Sequence, residues 1–221
     1  MPIIKQVYTP GSLKAQNCIK GRKELVKFCA EHGVDHDVCG KVVVATDEAE
    51  LPYMDKIFET GLKNEIEGIK KLTAEEVKEH EPFVESIGGI WVPVTGIVDF
   101  RGMTAKMVEL ALKIQPESKL CLEHEVEDVD SSGETAKLFT NKGDYEARYL
   151  IFCAGLQADR MAKKDGVKLK ERVVGFRGDY YELTEQGKHK VKNLIYPVPN
   201  PDFPFLGVHF TRMTDGEIEC G

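Results

Sequence analysis

Arg148-Tyr-Leu-Ile-Phe-Cys-Ala-Gly-Leu-Gln-Ala-Asp-Arg-Met-Ala162 reads as an apolar strand running through a small-residue turn into a helix. The Tyr149 to Phe152 run has the composition of a buried strand, and Ala154-Gly155 lets the backbone turn without a bulky side chain. Junctions of this kind are where α/β folds receive nucleotides, because free N–H groups at the helix start face an anion. The usual companion, a G-x-G-x-x-G loop opening a first βαβ unit, occurs nowhere among the 221 residues.

Upstream, a helix is expected from Ser12 to His32, with Leu13, Ile19, Leu25, Val26, Phe28 and Cys29 at helical spacing and Gly33 as the stop. Lys41-Val-Val-Val-Ala45 predicts a short buried strand. Asp47 with Glu50 predicts a capping box for a helix to about Leu62, and Thr73-Ala-Glu-Glu76 caps a second, shorter one. Gly88 to Val98 alternates like paired strands broken by Pro93 and Gly96, with Trp91 as a packing residue. Asp99 is expected to cap the helix carrying Met103, Met107, Leu110 and Ile114. A meander of strands at 120–129, 136–140 and 145–153 then feeds the Cys153-Ala-Gly turn, followed by a helix over 157–164. Further strands are expected at 172–183, 194–198 and 205–211. Helix–strand units followed by a strand cluster imply two lobes, in an α+β to α/β fold.

The bulk properties narrow the function classes. With 42% apolar residues the chain can bury a sizeable core. A net charge of -7 argues against a nucleic-acid partner, since such binders carry a basic face that releases counterions. No apolar run approaches the roughly 20 residues that span a bilayer, and Met1 to Gln6 does not resemble a signal peptide, so a cytoplasmic location is expected. Cys18, Cys29, Cys39, Cys121, Cys153 and Cys220 form no C-x-x-C pair and read as reduced thiols. His32, His36 and Cys39 fall in a Gly-Val-Asp loop where their spacing fixes no geometry, so no metal site is assigned.

Several blocks in order carry a resemblance: Tyr8-Thr-Pro-Gly-Ser-Leu-Lys-Ala15, Gly40-Lys-Val-Val-Val-Ala-Thr46, Thr95-Gly-Ile-Val-Asp-Phe100, Phe176-Arg-Gly-Asp-Tyr-Tyr-Glu-Leu183 and Leu206-Gly-Val-His-Phe-Thr-Arg212. Together they resemble the FAD-dependent L-2-hydroxyglutarate oxidases and dehydrogenases, of the D-amino-acid-oxidase-like flavoproteins. The resemblance covers nearly the whole chain from about Val7. It implies an internal fragment, lacking the glycine-rich FAD motif of the N-terminus and the C-terminal part. It also implies a partial Rossmann-like FAD-binding lobe, 1–45 with 97–165, interleaved with an antiparallel substrate-binding lobe, 46–96 with 166–221.

The implied reaction is oxidation of L-2-hydroxyglutarate to 2-oxoglutarate by hydride transfer to flavin, a small-molecule 2-hydroxy acid being the partner. The same resemblance implies Arg177, Tyr180, Thr211 and Arg212 as substrate-binding residues and Tyr196 as a catalytic one. Arg and Tyr suit a dicarboxylate, although alternating Tyr and Arg are also ordinary on half-solvated strands. His209 is the candidate base because it interrupts an apolar strand between Val208 and Phe210, a structural histidine being the competing reading. Ala154, Gly155 and Leu156 match the family's second flavin-contacting turn, and Val126 its adenine-side strand.

Without the pyrophosphate loop the isolated chain is expected to be inactive and without FAD. The alternatives are a flavin-free, non-catalytic folded module, or an FAD oxidase of another 2-hydroxy acid, glycerol 3-phosphate or an amino acid. Peripheral membrane association of the parent and self-association of the fragment stay open.

Overall fold

The computed structural model describes residues 8–200, 202 and 207–221. By contact it divides into two compact units, Met1–Lys113 with Asp179–Gly221, and Ile114–Gly178.

The first unit is organised by one strand that is buried along its whole length, β2 (Lys41–Ala45), which follows the short β1 (His36–Asp37). On one side β2 pairs antiparallel with β4 (Gly88–Val92), and β4 with β3 (Lys70–Leu72). On the other side it pairs parallel with β10 (Leu194–Pro197). The sheet continues antiparallel through β11 (Phe210–Arg212), β12 (Ile218–Cys220) and β9 (Tyr181–Glu182). A strand in the middle of such a sheet has no solvent face, which is why three valines in succession fit it.

Alternate side chains of β2 enter different cores. Val43 and Ala45 join Ile90, Leu194 and Tyr196 under Met54 and Ile57 of α2 (Leu51–Lys63). Val42 and Val44 join Ile195, Phe210 and Ile218 with Val77 of α3 (Ala74–His80). The helix starts are where the capping residues stand. Ser12 accepts from Ala15 N–H before α1 (Leu13–His32), and Gly33 in the left-handed region (φ 65°) closes it. Capping boxes form at Asp47/Glu50 and Thr73/Glu76. Asp99 accepts from Gly102 N–H at 2.9 Å at the head of α4 (Phe100–Ile114). A side chain at 102 would collide with that carboxylate.

One buried acid ties the two halves of this unit. Glu81, fully buried at the end of α3, accepts Lys192 N–H at 3.0 Å and Asn193 N–H at 2.6 Å, immediately before β10. Beside it, His80 stacks on Trp91 with ring centroids 4.1 Å apart. Trp91 in turn lies on Gly40, where a Cβ would come within 2.0 Å of the indole.

In the second unit β6 (Val126–Asp130), β7 (Ala136–Thr140) and β8 (Tyr145–Ala147) form an antiparallel meander, with a bulge between Val126 and Asp128. A one-turn 3₁₀ segment at Gly155–Gln157 leads into α5 (Ala158–Lys164). Its buried side chains among the described residues are Val129, Ala136, Thr140 and Met161.

Several expectations are corrected. The strand expected over 145–153 stops at Ala147: Tyr149 and Ile151 are 85% and 88% exposed, since no described segment supplies them with a ladder. Of the strand over 172–183 only Tyr181–Glu182 forms, paired to the three-residue β12. The strand over 120–129 begins at Val126. Gly88–Val92 does not pair with β5 (Ile97–Val98), which pairs with β1 instead. The strand expected over 205–211 runs Phe210–Arg212, and Phe205 and Leu206 lie outside the described residues. The compact units also fall elsewhere than the lobes 1–45 with 97–165 and 46–96 with 166–221. The sheet is the reason, because it joins β2 to β4 and β10 across those boundaries. α6 (Glu185–Lys188) precedes β10.

Two outcomes follow. Glu81→Ala leaves two amides and a cavity without their carboxylate, and should lower stability by about 3 kcal/mol in urea denaturation, with Glu81→Gln losing less because one oxygen still accepts. Apolar side chains as exposed as Ile151 invite edge pairing, so light scattering should find a concentration-dependent oligomer that Ile151→Glu reduces.

Candidate functional site

The register of the sheet decides which candidates meet. Ile195 faces Phe210 across β10 and β11, so the next residues outward, Tyr196 and His209, fall opposite each other. Phe210 packs into the core around Val42, and Tyr196 into the core around Val43. Strand alternation therefore sends His209 and Thr211 to the Tyr196 side of the sheet. The rings of Tyr196 and His209 have centroids 4.6 Å apart, and Tyr180 stands edge-on to His209 at 6.1 Å. Four expected site residues, Tyr180, Tyr196, His209 and Thr211, are thus brought to one sheet face.

Backbone bonds hold this group. His209 N–H donates to Gly221 C=O at 2.9 Å, and Gly221 N–H to His209 C=O at 3.1 Å. The Tyr180 ring lies on Gly221 so closely that any Cβ at 221 would be 2.4 Å from it. His209 Nδ1 is 3.1 Å from Gly207 C=O. A carbonyl can only accept, so this contact assigns a proton to Nδ1 and leaves Nε2 as the ring nitrogen not engaged by it.

Tyr196 is 5% exposed, and its hydroxyl has no partner in hydrogen-bond geometry among the described residues. Burial pushes its pKa above the usual phenol range, while the neighbouring Thr211 hydroxyl opposes the shift without completing a bond. Over the Tyr196 ring stands the ammonium of Lys41, 4.9 Å from the centroid. Lys41 is 4% exposed, a cation in a strand otherwise made of Val and Ala. Its signal was in the sequence, as a charge opening a run of valines, but a lysine at a strand's first position ordinarily reads as the solvated end.

Arg212 alternates to the other side from Thr211 and ion-pairs with Asp37. Arg177 belongs to the second unit, exposed in a stretch without regular secondary structure before Asp179. In that same unit Val126 pairs with Thr140 at the start of β6, and Lys164 of α5 donates to Glu127 C=O, which sets α5 against β6. Ala154, Gly155 and Leu156 form the turn before α5. Gly155 has φ 53°, and nothing lies within 4 Å of where its Cβ would be.

Known proteins agree with one another on what this arrangement belongs to. The family model described as FAD dependent oxidoreductase (DAO) matches residues 3–221. An L-2-hydroxyglutarate dehydrogenase from Indibacter alkaliphilus is 43% identical over 97% of this chain and 53% of its own length. The Escherichia coli L-2-hydroxyglutarate dehydrogenase is 40% identical over 97% of this chain and 50% of its own. The chain therefore spans about half the length of the curated relatives it matches.

Among solved structures, the FAD-bound, dithionite-reduced L-alpha-glycerophosphate oxidase of Mycoplasma pneumoniae superposes with TM-score 0.81 at 22% identity, over 100% of this chain and 59% of that one. Glycine oxidase of Geobacillus kaustophilus gives 0.78 at 17% identity, over 100% and 58%. At such identities these likenesses establish the fold alone. The family match across nearly the whole sequence settles the assignment: the chain belongs to the FAD dependent oxidoreductase family.

Proposed function

We propose that the chain contributes the substrate-side machinery for oxidation of L-2-hydroxyglutarate to 2-oxoglutarate by an FAD-dependent enzyme. The observation that carries this reading is the grouping of His209, Tyr196, Tyr180 and Thr211 on one sheet face, with the buried Lys41 ammonium beside them. The names of the relatives at 40–43% identity support the choice of substrate.

The second unit has a feature that fits the cofactor. At Ala154-Gly155-Leu156 the backbone is open where a side chain would stand, so a flat ligand can approach it. Ala154, Gly155, Leu156 and Val126 are the residues we assign to holding FAD. When bound, FAD supplies the two-electron acceptor for oxidation at a carbon bearing a hydroxyl.

The chain's own residues have separate tasks. His209 is bonded through Nδ1 to Gly207 C=O, which leaves Nε2 to take the proton of the substrate hydroxyl as the Cα–H bond is oxidised and the carbonyl forms. The Tyr196 hydroxyl, held neutral by its burial, is a donor for an oxygen of the substrate. Thr211 supplies a second hydroxyl next to it. Tyr180 lies over Gly221 and stands edge-on to His209, bounding the group on that side. Arg212, engaged by Asp37, is better placed to fix the end of β11 than to hold a carboxylate directly.

A chimera tests this reading: the 221 residues replace the matching residues of the Escherichia coli relative, and anaerobic loss of the visible flavin absorption is followed. L-2-hydroxyglutarate should bleach the flavin, while the D-isomer, glycerol 3-phosphate and glycine should not. His209→Asn, which keeps the Gly207 bond but has no basic nitrogen, should slow bleaching by 10²-fold or more. Bleaching by glycerol 3-phosphate or by the D-isomer in preference to the L-isomer would overturn the substrate assignment.

A further inference from the structure

The registers of four strand pairs align one row of residues across the sheet. Val43 on β2 faces Tyr196 on β10. Tyr196 and His209 are opposite each other beyond Ile195 and Phe210, His209 and Gly221 beyond Phe210 and Cys220, and Gly221 and Tyr180 beyond Cys220 and Tyr181. Residues directly opposite in neighbouring strands send their side chains to the same face, so Val43, Tyr196, His209 and Tyr180 stand on one face in that order. Gly221 is the gap in the row.

Strands lie about 4.8 Å apart, so side chains two strands removed stand roughly 10 Å apart and do not meet when the residue between them has its own. Tyr180 and His209 are two strands apart, yet their ring centroids are 6.1 Å apart with the planes at 88°. The Tyr180 ring covers the distance by lying over Gly221, where a Cβ would come 2.4, 2.7 and 2.8 Å from its Cδ1, Cε1 and Cγ. Aromatic rings cover strand glycines in this way because the bare backbone has no side chain of its own to pack. On its other side His209 meets the Tyr196 ring at 4.6 Å. Its Nδ1 is engaged by Gly207 C=O, and its backbone is tied to Gly221 by the two reciprocal bonds. The imidazole therefore has a tyrosine ring on each side.

We propose that Gly221 is a positioning residue for His209. Its missing side chain admits Tyr180 to the place beside the imidazole, so that Tyr196, Tyr180 and Gly207 C=O together restrict both torsions of His209. The inference rests on the reading of His209 as proton acceptor given above. Gly221 itself moves no proton and acts through the ring it lets in. A base displaced by about 1 Å loses much of its effect, which is why the position of the ring matters. Any other residue at 221, alanine included, must push Tyr180 aside, and His209 then has open space where that ring stood.

Two measurements test this on the wild type, Gly221→Ala, Tyr180→Ala and the double variant. In the 221-residue chain with ¹³C-labelled histidine, the His209 Cε1–H signal is identified by its loss in His209→Asn. It should move in Gly221→Ala and in Tyr180→Ala, and the double variant should place it where Tyr180→Ala does. In the chimera, Gly221→Ala should slow flavin bleaching at saturating L-2-hydroxyglutarate by about tenfold. It should slow it no further once residue 180 is alanine, because the added methyl then has no ring to displace. A His209 signal unmoved by Gly221→Ala would overturn the proposal, as would an equal loss of rate from Gly221→Ala with and without the Tyr180 ring. If Gly221→Ala does not fold, Tyr180→Ala must restore folding by removing the collision, and a double variant that stays unfolded would overturn the proposal too. A chimera that L-2-hydroxyglutarate fails to bleach would overturn the reaction and leave the His209 signal to judge Gly221.

Discussion

The parallel ladder between Lys41–Val44 and Leu194–Pro197 is the constraint on which the first unit depends. Every other strand of the seven-stranded sheet is antiparallel to its neighbour, so this pairing joins an early βα region to a late hairpin cluster. Parallel pairs cannot be closed by a tight turn and need covering on both faces. Here α2 and α3 provide that cover, and Glu81 fixes the approach of β10 by taking the two amides that precede it. Register then follows. A slip of one residue would turn Tyr196 into the Val42 core and send Ile195 to the site.

The ladder also explains why the site has its mixed character. Towards α2 the face is packed with Val43, Ile90 and Met54, while at the margin it carries Lys41, Tyr196, Thr211 and His209. One side chain, Tyr196, belongs to both. Its ring is core and its hydroxyl stands among the polar groups of the proposed site, so those groups are positioned by the same close packing that stabilises the sheet.

What could be read in the sequence divides by the range of the interactions. Ser12, Asp47, Thr73 and Asp99 were legible as caps because a capping side chain answers amides two or three residues away. The strand 41–45 was legible from its valines. By contrast β1, β3, β9 and β12 are two or three residues long and exist only because a distant partner lines up with them, so no local period announces them. The opposite error arose at 148–153, where a strand-like composition meets no ladder in its own unit. In the site, His209 stood out as a polar interruption of an apolar run. The meeting of Tyr180, Tyr196, His209 and Thr211 came from the family resemblance and from register, and Arg212 turned to Asp37 because alternation placed it on the other side of β11. The burial of Lys41 was not legible, since its strand neighbours are β4 and β10, neither of which is near it in sequence.

The same ladder sets an order of events during synthesis. Residues 41–45 leave the ribosome well before 194–197, and the whole of the second unit is made between them. Until β10 arrives, β2 has one partner and a bare edge of valines, in a chain that can only search for closure over a long loop. Completion of the sheet, and with it assembly of the Tyr196–His209 pair, is therefore a late and non-local step. The nascent chain must be protected at that edge throughout, which makes the interval between β4 and β10 the period of greatest exposure to chaperones and to misassembly.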